Sequence, residues 1–167
     1  MFQIDEFVIH TTGGICQVKD IAPLTIPGAD KNRNYYLLVP VKEKGSKVFV
    51  PTDNPSAIRP VITSDEAWSL IDEIPSIEET AIDNDKLREA KYKEVIKSCD
   101  LHELVGVIKN LYTRRLQRIE AGKKTTATDD KYFKIAEENL YSELAFALGK
   151  EKSEMQSIIA NRIEVPD

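Results

Sequence analysis

The chain has 167 residues, 41% hydrophobic and 31% charged, with 7 Gly and 8 Pro. That is the composition of a folded chain, not a disordered or fibrous one, and its length allows one ordinary domain or two small ones but no large multidomain enzyme. Against 28 Asp+Glu, the 23 Lys+Arg leave a net charge of -5, which excludes protein-wide attraction to a polyanion, so any nucleic-acid contact has to be local. Cys16 and Cys99 lie far apart with no C-x-x-C pair and no histidine at ligand spacing. Both are expected to be reduced, buried thiols, and no metal or cofactor is called for. Met1–Glu6 lacks the basic start of a leader, and no run of about 18 apolar residues occurs, so a cytoplasmic chain without a membrane partner is expected.

Short apolar runs separated by turn signals fill the first sixty residues: Phe7-Val8-Ile9, Gly13-Gly14, Ile15 to Val18, Pro27-Gly28, Tyr35 to Val41, Lys44-Gly45-Ser46 and Lys47 to Val50. This rhythm predicts a small all-β barrel with a hairpin turn at Gly13-Gly14. Pro51 has no N–H to give to a ladder, which predicts a strand end or a sheet edge there.

Beyond Pro60 the spacing turns helical. Thr63 with Glu66 forms a capping box that opens a helix near 64–74, stopped by Pro75. An acidic stretch leads to a second helix near 84–98. Asp100 with Glu103 repeats the capping signature and opens a third helix, in which Leu101, Leu104, Val105, Ile108, Leu111, Tyr112, Leu116 and Ile119 predict one continuous buried face up to Gly122. Thr128-Asp129-Asp130 predicts the start of a fourth helix over about 129–148, with Phe133, Ala136, Leu140, Leu144 and Ala147 on one face. Gly149 terminates it, and a last helix is predicted near 152–163. The expected architecture is α+β in two domains: a small β-barrel over 1–60 and a helical bundle of about five helices over 61–167.

Formal charge is unevenly spread: +1 over 1–60, -8 over 61–85, +6 over 86–134 and -4 over 135–167. A mildly acidic chain therefore contains a basic middle that includes Lys86, Arg88, Lys91, Lys93, Lys109, Arg114, Arg115, Arg118, Lys123 and Lys124. This segment is a candidate phosphate-backbone patch, with simple solvation of the bundle as the plainer alternative. Catalytic signals are lacking. His10 and His102 are the two side chains that titrate near neutrality, and neither sits in a recognisable setting. Gly13-Gly14 carries no phosphate-loop pattern, and carboxylates adjacent in sequence diverge instead of converging on a substrate. Trp68 is read as a packed indole.

The order of segments carries a resemblance. Asp5 to His10, Gly14 to Ile21, Tyr35 to Val39, Val48-Phe49-Val50-Pro51 and Ile58 to Ile62 are followed by Tyr92 to Asp100, Leu111-Tyr112-Thr113-Arg114-Arg115 and Leu140-Tyr141-Ser142-Glu143-Leu144-Ala145. Together they resemble the CarD family of bacterial transcription regulators across nearly the whole chain. The resemblance implies a Tudor-like or SH3-like barrel that binds the RNA polymerase β subunit, similar to the interaction domain of transcription–repair coupling factors. It also implies a helical domain that touches promoter DNA and modulates the open complex, with a polymerase-bound or other protein-interaction adaptor that makes no DNA contact as the alternative.

Two departures stand out. The family's minor-groove tryptophan has no counterpart in Ile82-Asp83-Asn84-Asp85-Lys86-Leu87-Arg88, and arginines that the family places on the barrel align with Leu24 and Phe49. The expected polymerase-binding residues are Arg33, Lys47, Val48, Phe49 and Val50, on a strand edge suited to strand addition. The expected DNA-binding residues are Lys86, Arg88, Arg114, Arg115 and Arg118.

Overall fold

Alternating apolar residues in the first part of the chain become five antiparallel strands in the computed structural model, which describes residues 1–12 and 14–163. These are β1 (Phe7–His10), β2 (Gly14–Pro23), β3 (Asn34–Pro40), β4 (Val48–Pro51) and β5 (Ile58–Pro60). They run in the order β4-β3-β2-β1-β5 and form a curled half-barrel. β2, β3, β4 and β5 each end on a proline, where the missing N–H stops the ladder. In β3 the buried residues Tyr36, Leu38 and Pro40 alternate with more exposed neighbours, and the inward set meets Val8, Cys16, Val18, Val50 and Ile58 in one core. The β2–β3 register shifts between Val18 and Asp20. That extra residue bends and twists the pair, as a bulge does, and so helps a sheet this small to curl over its core.

β2 is longer than the Ile15–Val18 run suggested, because Ile21 and Ala22 continue the ladder against Tyr36 and Tyr35. Gly13 lies outside the described residues. Gly14 adopts φ +64 where β2 begins, a conformation that disfavours any side chain. Burial pushes the Cys16 thiol up to about 11, so it stays protonated.

The contact pattern separates Met1–Val61 from a second unit, Ile62–Asp167. The second unit contains α1 (Ser64–Glu73), α2 (Arg88–Ser98), α3 (Leu101–Glu120), α4 (Ala127–Leu148) and α5 (Met155–Ile163). The Thr63–Glu66 capping box is complete: the Thr63 hydroxyl accepts from the Glu66 amide at 3.1 Å, and the Glu66 carboxylate accepts from the Thr63 amide at 3.2 Å. The core gathers Ala67, Leu70, Ile71, Tyr92, Val95, Leu104, Val107, Leu111, Ala136, Leu140, Leu144 and Met155. Trp68 packs partly buried against it, with the Arg162 guanidinium 4.9 Å from its ring centre.

α1 ends at Glu73, ahead of Pro75, whose fixed φ suits the 3₁₀ turn Ile74–Ser76 that follows. Several expectations need correction. The helix expected over 84–98 divides into a 3₁₀ turn, Asp85–Leu87, and α2, with the Asn84 side chain capping the turn. Asp100 caps α3 by accepting from the amides of His102 and Glu103. The return arm is absent, however: the Asp100 amide donates to the Ser98 hydroxyl instead. α4 begins at Ala127, with Thr126 rather than Thr128 as its cap. Cys99 is half-buried, in the left-handed position that ends α2.

The largest correction concerns α3. Tyr112, Leu116 and Ile119 are 53%, 48% and 58% exposed, so the predicted buried face stops near Leu111. The apolar spacing in fact contains two stripes. Leu104, Val107 and Leu111 face the core, while Val105, also in the core, and Ile108, packed against it, begin a second row that Tyr112, Leu116 and Ile119 continue. The segment 74–80 runs beside the N-terminal half of α3. Lys109 donates to the carbonyls of Ile74 and Ile77, and the Thr80 amide donates to the Gly106 carbonyl at 3.1 Å. Those contacts end with the segment, and the last turns of the second row stay open.

Candidate interaction surfaces

β4 closes one end of the sheet order and pairs only with β3 among the described strands. A strand in this position presents a row of main-chain groups to a partner. Its side chains sort by the period of two. Val50 is buried and Val48 packs against the core, whereas Phe49 is 48% exposed. Lys47, exposed, precedes the strand. Of the residues expected to bind polymerase, Phe49 and Lys47 therefore offer side chains, while Val48 and Val50 hold the edge to the core. Arg33 joins them at the far end of the strand. Its Nε donates to Asp53 at 2.9 Å, just past β4, and its guanidinium lies 5.8 Å from the ring of Tyr35, whose register partner is Pro51.

In the helical unit the five expected DNA-binding residues divide into two groups. Arg88 and Arg114 belong to a shared polar network. Arg88 Nε donates to Asp85 Oδ1 at 2.8 Å, and its Nη1 donates to the Tyr92 hydroxyl and to Asn110 Oδ1, each at 2.8 Å. The Tyr92 hydroxyl donates to Asp129 Oδ1 at 3.0 Å. Arg114 Nε donates to Asp129 Oδ2 at 2.7 Å, and its Nη1 reaches Asp85 Oδ1 at 3.3 Å. The network ties the turn before α2, α2 itself, α3 and α4 into one frame.

Two ionisable groups show the character of this frame. Burial pushes the Tyr92 hydroxyl up, so it remains a donor. Burial also opposes ionisation of Asp129, yet hydrogen bonds from Arg114, Tyr92 and Thr126 outweigh it and hold the carboxyl below its usual range.

Lys86, Arg115 and Arg118 lie outside that frame. Lys86 is exposed in the turn Asp85–Leu87. Arg115 stacks over Phe133 at 4.6 Å and meets Asp130 at 3.4 Å, and Arg118 Nε donates to the Lys124 carbonyl at 2.8 Å. Spacing alone missed Asp85, Tyr92, Asn110 and Asp129 as partners. The legible signal was Asn110, a polar residue between Val107 and Leu111 on an otherwise apolar face, since a buried amide requires partners. Leu87 was missed as well: it is 61% exposed between Lys86 and Arg88.

The histidines have structural settings. His10 is buried in β1, its Nδ1 accepts from the Thr12 amide at 3.2 Å, and burial lowers its pKa. His102 Nε2 lies 2.7 Å from Glu73 at the end of α1, on the surface. Among the described residues no group of three or more His, Cys, Asp or Glu side chains is placed to hold a metal, and no helix is long and apolar enough to cross a membrane.

A curled sheet with an open edge strand, followed by a helical unit with local basic character, defines a two-part interaction protein. Family models place it more closely: the CarD-like/TRCF RID domain matches residues 2–62, and the CarD C-terminal domain matches residues 70–160. The chain belongs to the CarD family and is a transcription-related, RNA polymerase-interacting protein. No curated protein matches it.

Proposed function

We propose that the half-barrel docks on the polymerase β subunit through the outer edge of β4 while the helical unit contacts promoter DNA and modulates open-complex formation. Strand addition supplies main-chain hydrogen bonds, and Phe49 with Lys47 supplies side-chain selectivity. Where the family carries arginine, Phe49 makes this edge more apolar. Docking then raises the effective concentration of the helical unit on nearby DNA, so a chain with net charge -5 needs only a local basic contact.

The observation that carries the DNA contact is the Asn84–Arg88 turn. It presents Leu87, 61% exposed, between Lys86 and Arg88, and it is anchored through Arg88 to Tyr92 and Asn110. An apolar side chain flanked by basic ones can enter a minor groove and lean on a base step while its neighbours reach phosphates. Leucine offers less stacking surface than the family's tryptophan, so the stabilisation of opened DNA is weaker. The test is the lifetime of polymerase–promoter complexes across a salt series. Lys86→Ala shortens the lifetime and flattens its salt dependence, and Leu87→Ala shortens it with the slope unchanged. A lifetime and slope untouched by both substitutions would remove the turn from the interface.

The alternative, an adaptor without DNA contact, has one observation in its favour: Arg88 and Arg114 are already engaged by carboxylates of the same chain.

A further inference from the structure

We infer that Arg88 and Arg114 form a two-guanidinium phosphate site that Asp85 occupies from within the chain, so that DNA enters by displacing that carboxylate. The inference rests on the DNA contact proposed above and assigns it a gate.

One oxygen, Asp85 Oδ1, lies 2.8 Å from Arg88 Nε and 3.3 Å from Arg114 Nη1. It marks the point where two guanidinium edges converge, which is where an oxygen of a backbone phosphate would sit. The two sides of this contact are held very differently. Arg88 and Arg114 have side chains only 12% and 20% exposed, and both are fixed from behind by Tyr92, Asn110 and Asp129. Asp85 is 71% exposed and sits on a three-residue 3₁₀ turn. The guanidiniums are thus pre-arranged, while the carboxylate can rotate into water at the small cost typical of exposed ion pairs.

The charge balance supports the same reading. Asp85 and Asp129 together balance the two arginines, so a segment of net +6 is locally neutral where these side chains meet. With Asp85 turned outward, one uncompensated positive charge faces the solvent beside Lys86. Phosphate entry releases counterions from DNA, but the freed Asp85 gathers a cation in return. The gate therefore lowers both the affinity and its salt dependence.

The test uses the full chain with a fluorescein-labelled DNA duplex of about 20 base pairs, read by anisotropy at roughly 50 to 200 mM KCl, where phosphate contacts change affinity steeply. Three proteins are compared: wild type, Asp85→Asn and Asp83→Asn. Asp83 undergoes the same charge change two residues away and meets neither arginine. Asp85→Asn is expected to bind about two- to fivefold more tightly, the scale of removing one exposed ion pair. Its salt slope should steepen by up to about 0.9, the value for one phosphate neutralised with no freed carboxylate gathering a cation in return. Asp83→Asn should stay close to wild type.

Equal gains in both variants, or no gain in Asp85→Asn while wild type binds with a salt slope, would overturn the gate and leave the DNA contact standing. No salt-dependent binding by wild type or by Asp85→Asn would remove the DNA contact itself. Asp85→Ser, which also removes the charge, must reproduce the Asp85→Asn result.

Discussion

Asp129→Ala tests whether the polar frame is a fixed scaffold. Asp129 is 9% exposed and joins three elements: it accepts from Arg114 Nε on α3 at 2.7 Å and from the Tyr92 hydroxyl on α2 at 3.0 Å, while its own amide is capped by Thr126. Removing one partner of a buried ion pair costs about 3–5 kcal/mol. Arg114 is 20% exposed and keeps Asp85, which places its share at the lower end of that range. Tyr92, 0% exposed, keeps its contact with Arg88 but loses its acceptor, a cost of about 1 kcal/mol or more for a buried donor. Together these give a net loss of about 4 kcal/mol as an order of magnitude.

The assay is urea unfolding followed by Trp68 fluorescence, because the chain's single tryptophan belongs to the helical unit and reports on it alone. The midpoint is expected to fall by about 1–4 M at ordinary urea sensitivities of about 1–3 kcal/mol/M. Asp129→Asn, which keeps an acceptor for Tyr92 and loses only the charge, should fall between wild type and Asp129→Ala. A loss under about 0.5 kcal/mol in Asp129→Ala, the range of ordinary surface changes, would refute the reasoning.

Because the folded-state pKa of Asp129 lies below its unfolded value, its stabilisation is complete above the unfolded pKa of about 4 and is lost as pH falls through the folded one. The Trp68 unfolding midpoint should drop in that acid window, less steeply in Asp129→Asn. A Cβ at Gly106 would stand 2.6 Å from Thr80 Oγ1 and 3.1 Å from the Glu78 carbonyl. Gly106→Ala should therefore cost about 1–3 kcal/mol of overpacking, offset by roughly 1 kcal/mol of helix propensity. Hydrogen exchange at the Thr80 amide, which bonds the Gly106 carbonyl, is expected to quicken, and an unchanged rate would place the 74–80 segment elsewhere. Phe49→Asp should lower retention on RNA polymerase with the β-unit folded, whereas Val50→Asp, at a site 3% exposed, should unfold that unit. Full retention of Phe49→Asp would exclude this face of the edge.

Much of the fold was written locally. Pro51 at a strand end, the Thr63–Glu66 box and the three-and-four spacing of α3 and α4 are rules that act within a few residues, and they placed the helices to within a turn. What spacing cannot reveal is which neighbour covers a face. Tyr112, Leu116 and Ile119 continue the pattern of Val105 and Ile108, yet the segment alongside ends before them. The basic cluster shows the same limit. Arg88, Arg114, Arg115 and Arg118 look alike as residue types, and only the fold brings Asp85 and Asp129 to the first two, sets Arg115 against Phe133 and Asp130, and turns Arg118 onto the Lys124 carbonyl. Leu87 was hidden by its position at a helix start, where periodicity assigns no face.

A footprint of a polymerase–promoter complex with and without the protein tests docking and DNA contact together. Added protection of DNA is expected at the upstream edge of the opened region, lost with Phe49→Asp and diminished with Lys86→Ala combined with Leu87→Ala. Binding to polymerase with the same footprint in the protein's presence and absence would contradict this, leaving an adaptor that grips the enzyme and never reaches DNA.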